Sequence, residues 1–199
     1  YGVVKRTSVT EFANIRQNGL KALNLKDEDE LINVFLTNGQ ADIIIGTKMG
    51  YAVRFNENQV RNMGRAATGV RGVNLRAGDH VVGASVISDD QEVLVITEKG
   101  YGKRTLASEY ATKSRGGKGM KTANITEKNG SLAGLMAVNG DEDLMIITNT
   151  GVIIRTNVAN ISQTGRATLG VKVMRLDKGA QIVTFTSVAA ENEKEVDEE

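Results

Sequence analysis

Gly50-Tyr51-Ala52-Val53-Arg54, Gly100-Tyr101-Gly102-Lys103-Arg104 and Gly151-Val152-Ile153-Ile154-Arg155 repeat a pattern first seen at Gly2-Val3-Val4-Lys5-Arg6. The four terminal arginines are 48, 50 and 51 residues apart. Some ten residues later comes a second arginine, at Arg16, Arg65, Arg115 and Arg166, and then a glycine, at Gly19, Gly69, Gly119 and Gly170. Two residues beyond each glycine stands a base: Lys21, Arg71, Lys121 and Lys172. Four copies in register mark an array in which each unit buries its apolar face against its neighbours.

Each copy reads as short strands. Gly151–Thr156 is a half-apolar strand, and Val171–Leu176 alternates, so that successive side chains face opposite sides. A third strand is expected at Leu31–Thr37, Val81–Ile87, Leu132–Val138 and Ile182–Val188, and a fourth at Ile43–Ile45, Val93–Ile96 and Leu144–Ile147. The fourth runs are continuously apolar, as suits strands buried on both faces. The expected fold is therefore all-β, with about fifteen strands in four-stranded blades. The repeats fall at about 1–47, 48–97, 98–148 and 149–190, followed by a disordered acidic tail over 191–199. Tryptophan is absent and the single Gly-Gly is Gly116-Gly117, which argues against WD and kelch arrays. The chain opens at Tyr1, where an earlier fourth strand would end, so it is expected to be part of a longer array.

The composition excludes several classes. There are no cysteines and one histidine, His80, so disulfides and Cys-ligated metals are ruled out and His80 reads as a turn residue. No apolar run is long enough to span a bilayer, and no membrane partner is expected. With 22 glycines and no proline, the turns rely on Gly, Asn and Asp. The net charge of +1 conceals a segregation. Removing the tail's one lysine and six carboxylates leaves 24 basic and 18 acidic residues, a body of +6.

Half of those 24 bases lie in the three repeat columns, and no comparable acidic column is apparent. In a radial array the columns would form a basic band, as a bent polyphosphate requires. Lys103, Lys113 and Lys118 would support it, and Gly116 and Gly117 would let backbone amides approach phosphates. With 4% aromatics, stacking on single strands is not the expected mode. Two other readings stay open. Repeated arginines can cap turn carbonyls or pair with a neighbouring blade's carboxylates, and the array can be a protein-interaction scaffold.

Gly69-Val70-Arg71-Gly72, Gly100-Tyr101-Gly102-Lys103-Arg104-Thr105 and Lys113-Ser114-Arg115-Gly116-Gly117-Lys118-Gly119 resemble the C-terminal domain of DNA gyrase A, the larger polypeptide of that type IIA topoisomerase. The resemblance covers essentially the whole chain. It implies a β-pinwheel whose blades exchange strands and whose perimeter wraps double-stranded DNA without sequence readout, in support of negative supercoiling. The equivalent C-terminal domain of topoisomerase IV is the alternative. The family's box is Gln-Arg-Arg-Gly-Gly-Lys-Gly; residues 113–119 match it at five of seven positions, with Lys113 and Ser114 departing. A complete box would then lie upstream. The resemblance further implies no catalytic residue, metal or cofactor in this chain, because ATP and Mg2+ act in other domains of the holoenzyme. Its partners would be the rest of the gyrase A polypeptide and the separate ATPase polypeptide, gyrase B. The isolated domain would be monomeric, and the location the bacterial cytoplasm, at the nucleoid.

Gly64–Gly69 and Gly165–Gly170 have the glycine spacing of a phosphate loop, but Val70 and Val171 stand where its lysine belongs. Tyr51, Tyr101 and Tyr110 read as rim or core packing rather than nucleophiles.

Overall fold

Apolar and β-branched runs closed by glycine turns build hairpins along the whole chain. The computed structural model describes residues 1–190; the acidic tail lies outside the described residues. Among them are thirteen strands: β1 (Val3–Val4), β2 (Asp42–Thr47), β3 (Tyr51–Asn56), β4 (Val70–Arg71), β5 (Val81–Ile87), β6 (Glu92–Thr97), β7 (Tyr101–Leu106), β8 (Met120–Lys121), β9 (Leu132–Val138), β10 (Asp143–Thr148), β11 (Ile153–Asn157), β12 (Val171–Lys172) and β13 (Ile182–Val188). Four 3-10 turns, Val9–Phe12, Glu57–Gln59, Ala107–Glu109 and Val158–Asn160, are the only helical pieces described, and no helix is long and apolar enough to cross a membrane.

The sheets are out of step with the repeats. β2, the fourth run of the first repeat, pairs antiparallel with β3 and β5 of the second. β8 of the third repeat then adds to the outside, giving β5-β2-β3-β8. The same arrangement recurs one repeat later as β9-β6-β7-β12. A three-stranded sheet β13-β10-β11 and the pair β1-β4 complete the array. Strand exchange between neighbouring units, implied by the family resemblance, is thus present at the junctions.

The fourth runs are buried on both faces, as their unbroken apolar character requires. In β6, Val93 and Val95 enter one core with Ile44 and Leu135, while Leu94 and Ile96 enter the next with Leu144 and Ile146. Each such side chain contributes roughly 1.5–3 kcal/mol through burial. The third-run strands β5, β9 and β13 pack on one another in sequence. Contact there is close: a Cβ on Gly83 would lie 2.5 Å from the Leu135 carbonyl oxygen, and one on Gly134 would lie 2.7 Å from the Phe185 ring. These strands form the inner side, so β8 and β12 fall at the opposite, outer edge of their sheets.

Two expectations need correction. Leu31–Thr37 forms no strand, and Leu31, Ile32, Val34, Phe35 and Leu36 are exposed. Every other third run pairs with the fourth run of the repeat before it, and this sequence holds no such run ahead of Leu31–Thr37. The second strands are also shorter than alternation suggests, two residues each. Consecutive amides, Gly72 and Val73, Thr122 and Ala123, and Val173 and Met174, donate to one turn carbonyl, that of Gly2, Gly50 and Gly100 respectively. Sharing one acceptor bends the chain out of the ladder.

Candidate nucleic-acid interface

The three basic columns occupy three different environments. Arg71, Lys121 and Lys172 lie on β4, β8 and β12, the outer two-residue strands at successive junctions, and all three are exposed. Their register places them opposite Val3, Tyr51 and Tyr101. The Lys172 ammonium stands 5.4 Å from the Tyr101 ring centroid, where the ring face steadies it without a competing carboxylate. Lys21, in the same column of the first repeat, is exposed outside any strand. A glycine positions each of these strands. Gly119 has φ +75° and a Cβ there would lie 2.7 Å from the Ala52 carbonyl oxygen, so only glycine brings the loop this close to β3.

The loop arginines are half-buried staples between units. Arg115 donates through Nε to the Gln59 carbonyl (3.1 Å) and through a terminal nitrogen to that of Arg71. Arg166 donates to the Lys121 carbonyl (3.1 Å) and lies 3.9 Å from the Glu109 carboxylate, with its Nε buried and lacking a hydrogen-bond acceptor. Arg65 is half-buried and Arg16 exposed. Between Arg115 and β8, Lys113, Gly117 and Lys118 are exposed, while Gly116 is half-buried.

The first column is turned inward, which corrects the expectation of a three-column basic band. Arg54 is 5% exposed. It binds Asp42 (2.9 Å) and Asp89 (2.8 Å) and donates to the carbonyls of Ala107 (3.1 Å) and Tyr110 (3.4 Å) in the next repeat's 3-10 turn. Arg104 pairs with Glu92 and donates to the Ile161 carbonyl (2.7 Å). Arg155 pairs with Asp143 (2.8 Å), and Arg6 reaches Asn58 (3.1 Å) and Glu57 (3.7 Å). An acidic column therefore does exist: Asp42, Glu92 and Asp143, each twelve residues before its arginine. Burial pushes the Asp42 carboxyl up, but hydrogen bonds from Thr112 and Asn56 and the Arg54 charge outweigh it and hold the group below its ordinary value.

Lys103 is also misplaced by sequence reasoning. It is 1% exposed, and its ammonium donates to the carbonyls of Gly165 (2.7 Å) and Arg166 and to Thr168 Oγ1 (3.1 Å). Burial lowers its pKa to about 8, with Arg166 adding to the effect and Glu109 opposing it. Lys5, which the columns did not single out, pins the Arg65 carbonyl in the same way. Sequence reading also missed Arg76, whose guanidinium lies 3.3 Å from the Tyr51 ring centroid and donates to the Lys118 carbonyl (2.6 Å). Among the described residues no group of three or more His, Cys, Asp or Glu side chains could hold a metal ion.

The comparisons with known proteins agree on one family. The model of the DNA gyrase C-terminal domain, described as a β-propeller, matches residues 2–38, 41–88, 91–139 and 142–189. The chain is 80% identical over 196 residues to DNA gyrase A of Streptococcus pneumoniae and 62% identical over 198 residues to that of Halalkalibacterium halodurans. These matches cover 98% and 100% of the chain but 24% of either relative's own length. A solved C-terminal domain of DNA topoisomerase IV superposes with a TM-score of 0.90 at 27% identity, covering 96% of this chain and 60% of that one. A solved C-terminal domain of DNA gyrase A superposes with a TM-score of 0.82, also at 27% identity, covering 94% and 62%. The exchanged strands, the four matched segments and these relatives show that the chain belongs to the DNA gyrase C-terminal domain family.

Proposed function

We propose that the chain binds and bends duplex DNA along its outer edge, as the C-terminal domain of DNA gyrase A, and so supports negative supercoiling by the whole enzyme. The observation that carries this reading is the placement of Arg71, Lys121 and Lys172 on successive outer strands, exposed and clear of carboxylates. Lys21, Lys113 and Lys118 extend the cationic edge. The half-buried Arg65, Arg115 and Arg166 join it while stapling the units, and exposed Arg16 continues it. Arg6, Arg54, Arg104, Arg155 and Lys103 serve the scaffold. Contacts of this kind go to phosphates and carry no base information. The chain supplies no catalysis; cleavage, ATP and Mg2+ belong to other domains. Its partners are the remainder of the gyrase A polypeptide and the ATPase polypeptide, gyrase B, in the bacterial cytoplasm.

Replacing Arg71, Lys121 and Lys172 together by alanine is expected to weaken duplex binding and to lower the log–log salt slope by about 0.9 per lost contact. An unchanged slope would transfer the assignment to a protein-interaction scaffold. The closer superposition on the topoisomerase IV domain favours a second reading, DNA capture without a handed wrap. Religation of a nicked plasmid with the protein bound separates the two: a positive linking change supports the gyrase role, and no change supports the alternative.

A further inference from the structure

Loops of related sequence lead into β4, β8 and β12, and two of them have a lysine inside. Lys5 donates to the Arg65 carbonyl, and Lys103 donates to those of Gly165 and Arg166. At the middle junction the residue in that register is Val53, buried and uncharged. Where the ammonium would sit there is a cavity of about 530 Å3, lined by Val53, Lys113, Ser114, Gly117, Lys118 and Gly119 among others.

The wall chemistry suits an anion. The amides of Lys113, Arg115 and Gly116 are committed to the Arg54 carbonyl, Gln59 Oε1 and the Gly72 carbonyl. Among the described residues the amides of Gly117, Lys118 and Gly119 have no acceptor. Consecutive backbone donors beside two exposed lysines make an anion-binding concavity, and no carboxylate lines it. The cavity on the loop before β4, about 440 Å3, differs on that point because Glu11 lines it.

We propose that Val53 keeps the 113–119 loop open to a phosphate group, which enters the space that lysine fills at the two flanking junctions. This deepens the DNA-binding reading and rests on it. A backbone phosphate of the duplex seats inside this loop and touches only the outside of the other two.

The test uses the opposed signs of charge and space. Val53→Lys adds a positive charge at the edge, so charge alone would tighten duplex binding. With a phosphate seat, the new ammonium takes the Ser114 and Arg115 carbonyls and closes the cavity. Affinity then falls about tenfold and the salt slope drops by about 0.9, one contact. Val53→Met, which fills the space without charge, is expected to weaken binding in the same direction and decides the matter if the lysine variant does not fold. Tighter or unchanged binding by the folded variants overturns the proposal while leaving DNA binding intact. The amide resonances of Gly117 and Gly119 separate the sources. Shifts with a short duplex, but not with inorganic phosphate at equal phosphate concentration, assign the seat to the DNA backbone. Shifts with inorganic phosphate in a chain that fails to bind duplex keep the anion site and discard the DNA reading. Shifts with neither overturn the seat.

Discussion

At the level of single residues, arginines spaced alike in sequence do unlike work. Arg54 is enclosed by Asp42, Asp89 and two carbonyls, so Arg54→Ala leaves Asp42 half-buried without its cation. Breaking a buried pair in this way costs about 3–5 kcal/mol, and thermal unfolding is expected to show it. Lys121→Ala removes an exposed side chain and should change stability by less than about 0.5 kcal/mol, while weakening duplex binding in a titration. The opposite ranking would mean that the outer and inner columns have been exchanged. Part of this division was legible in the sequence. The twelve-residue offset of Asp42, Glu92 and Asp143 from Arg54, Arg104 and Arg155 predicts pairing across a hairpin, because that offset matches opposed positions on adjoining strands. What one strand's sequence could not disclose was which side of Arg54 the next repeat covers, since that depends on strands fifty residues away.

At the level of strands and loops, the lysine pins are the main device. Lys103 holds the loop before β12 by three acceptors while giving up most of its hydration. Its pKa in the folded chain, about 8, lies below the ordinary 10.5, so between those values the unfolded chain binds more protons. Stability from this group is therefore expected to rise as pH climbs from about 8 to 10.5 and to be flat below that window. Melting temperatures recorded across the range for the native chain and for Lys103→Met check it; an equal slope in both would assign the dependence elsewhere. The strands themselves were largely readable, because Val81–Ile87, Leu132–Val138 and Ile182–Val188 carry their own apolar pattern and turn residues. Lys103 was not, because a lysine beside an arginine column looks like surface charge until a neighbouring loop closes over it.

At the level of the molecule, the array leaves one apolar stretch without a sheet. Leu31, Ile32, Val34, Phe35 and Leu36 are all exposed, a concentration that favours self-association. Val34→Lys with Leu36→Lys is expected to reduce concentration-dependent light scattering while leaving the melting temperature of the remaining sheets unchanged; a large fall in melting temperature would show that the stretch is packed after all. Repeat number and all-β class were evident from the period alone. The phase between repeat and sheet was not evident, since nothing local distinguishes a strand that stays at home from one lent to its neighbour. That phase also has a mechanical side. A stiff polymer held in an arc pushes to straighten and so pulls adjacent units apart at the rim. Because β8 and β12 are hydrogen-bonded into the sheet of the preceding unit, that tension runs along peptide ladders loaded in shear rather than across side-chain interfaces that could peel open one by one.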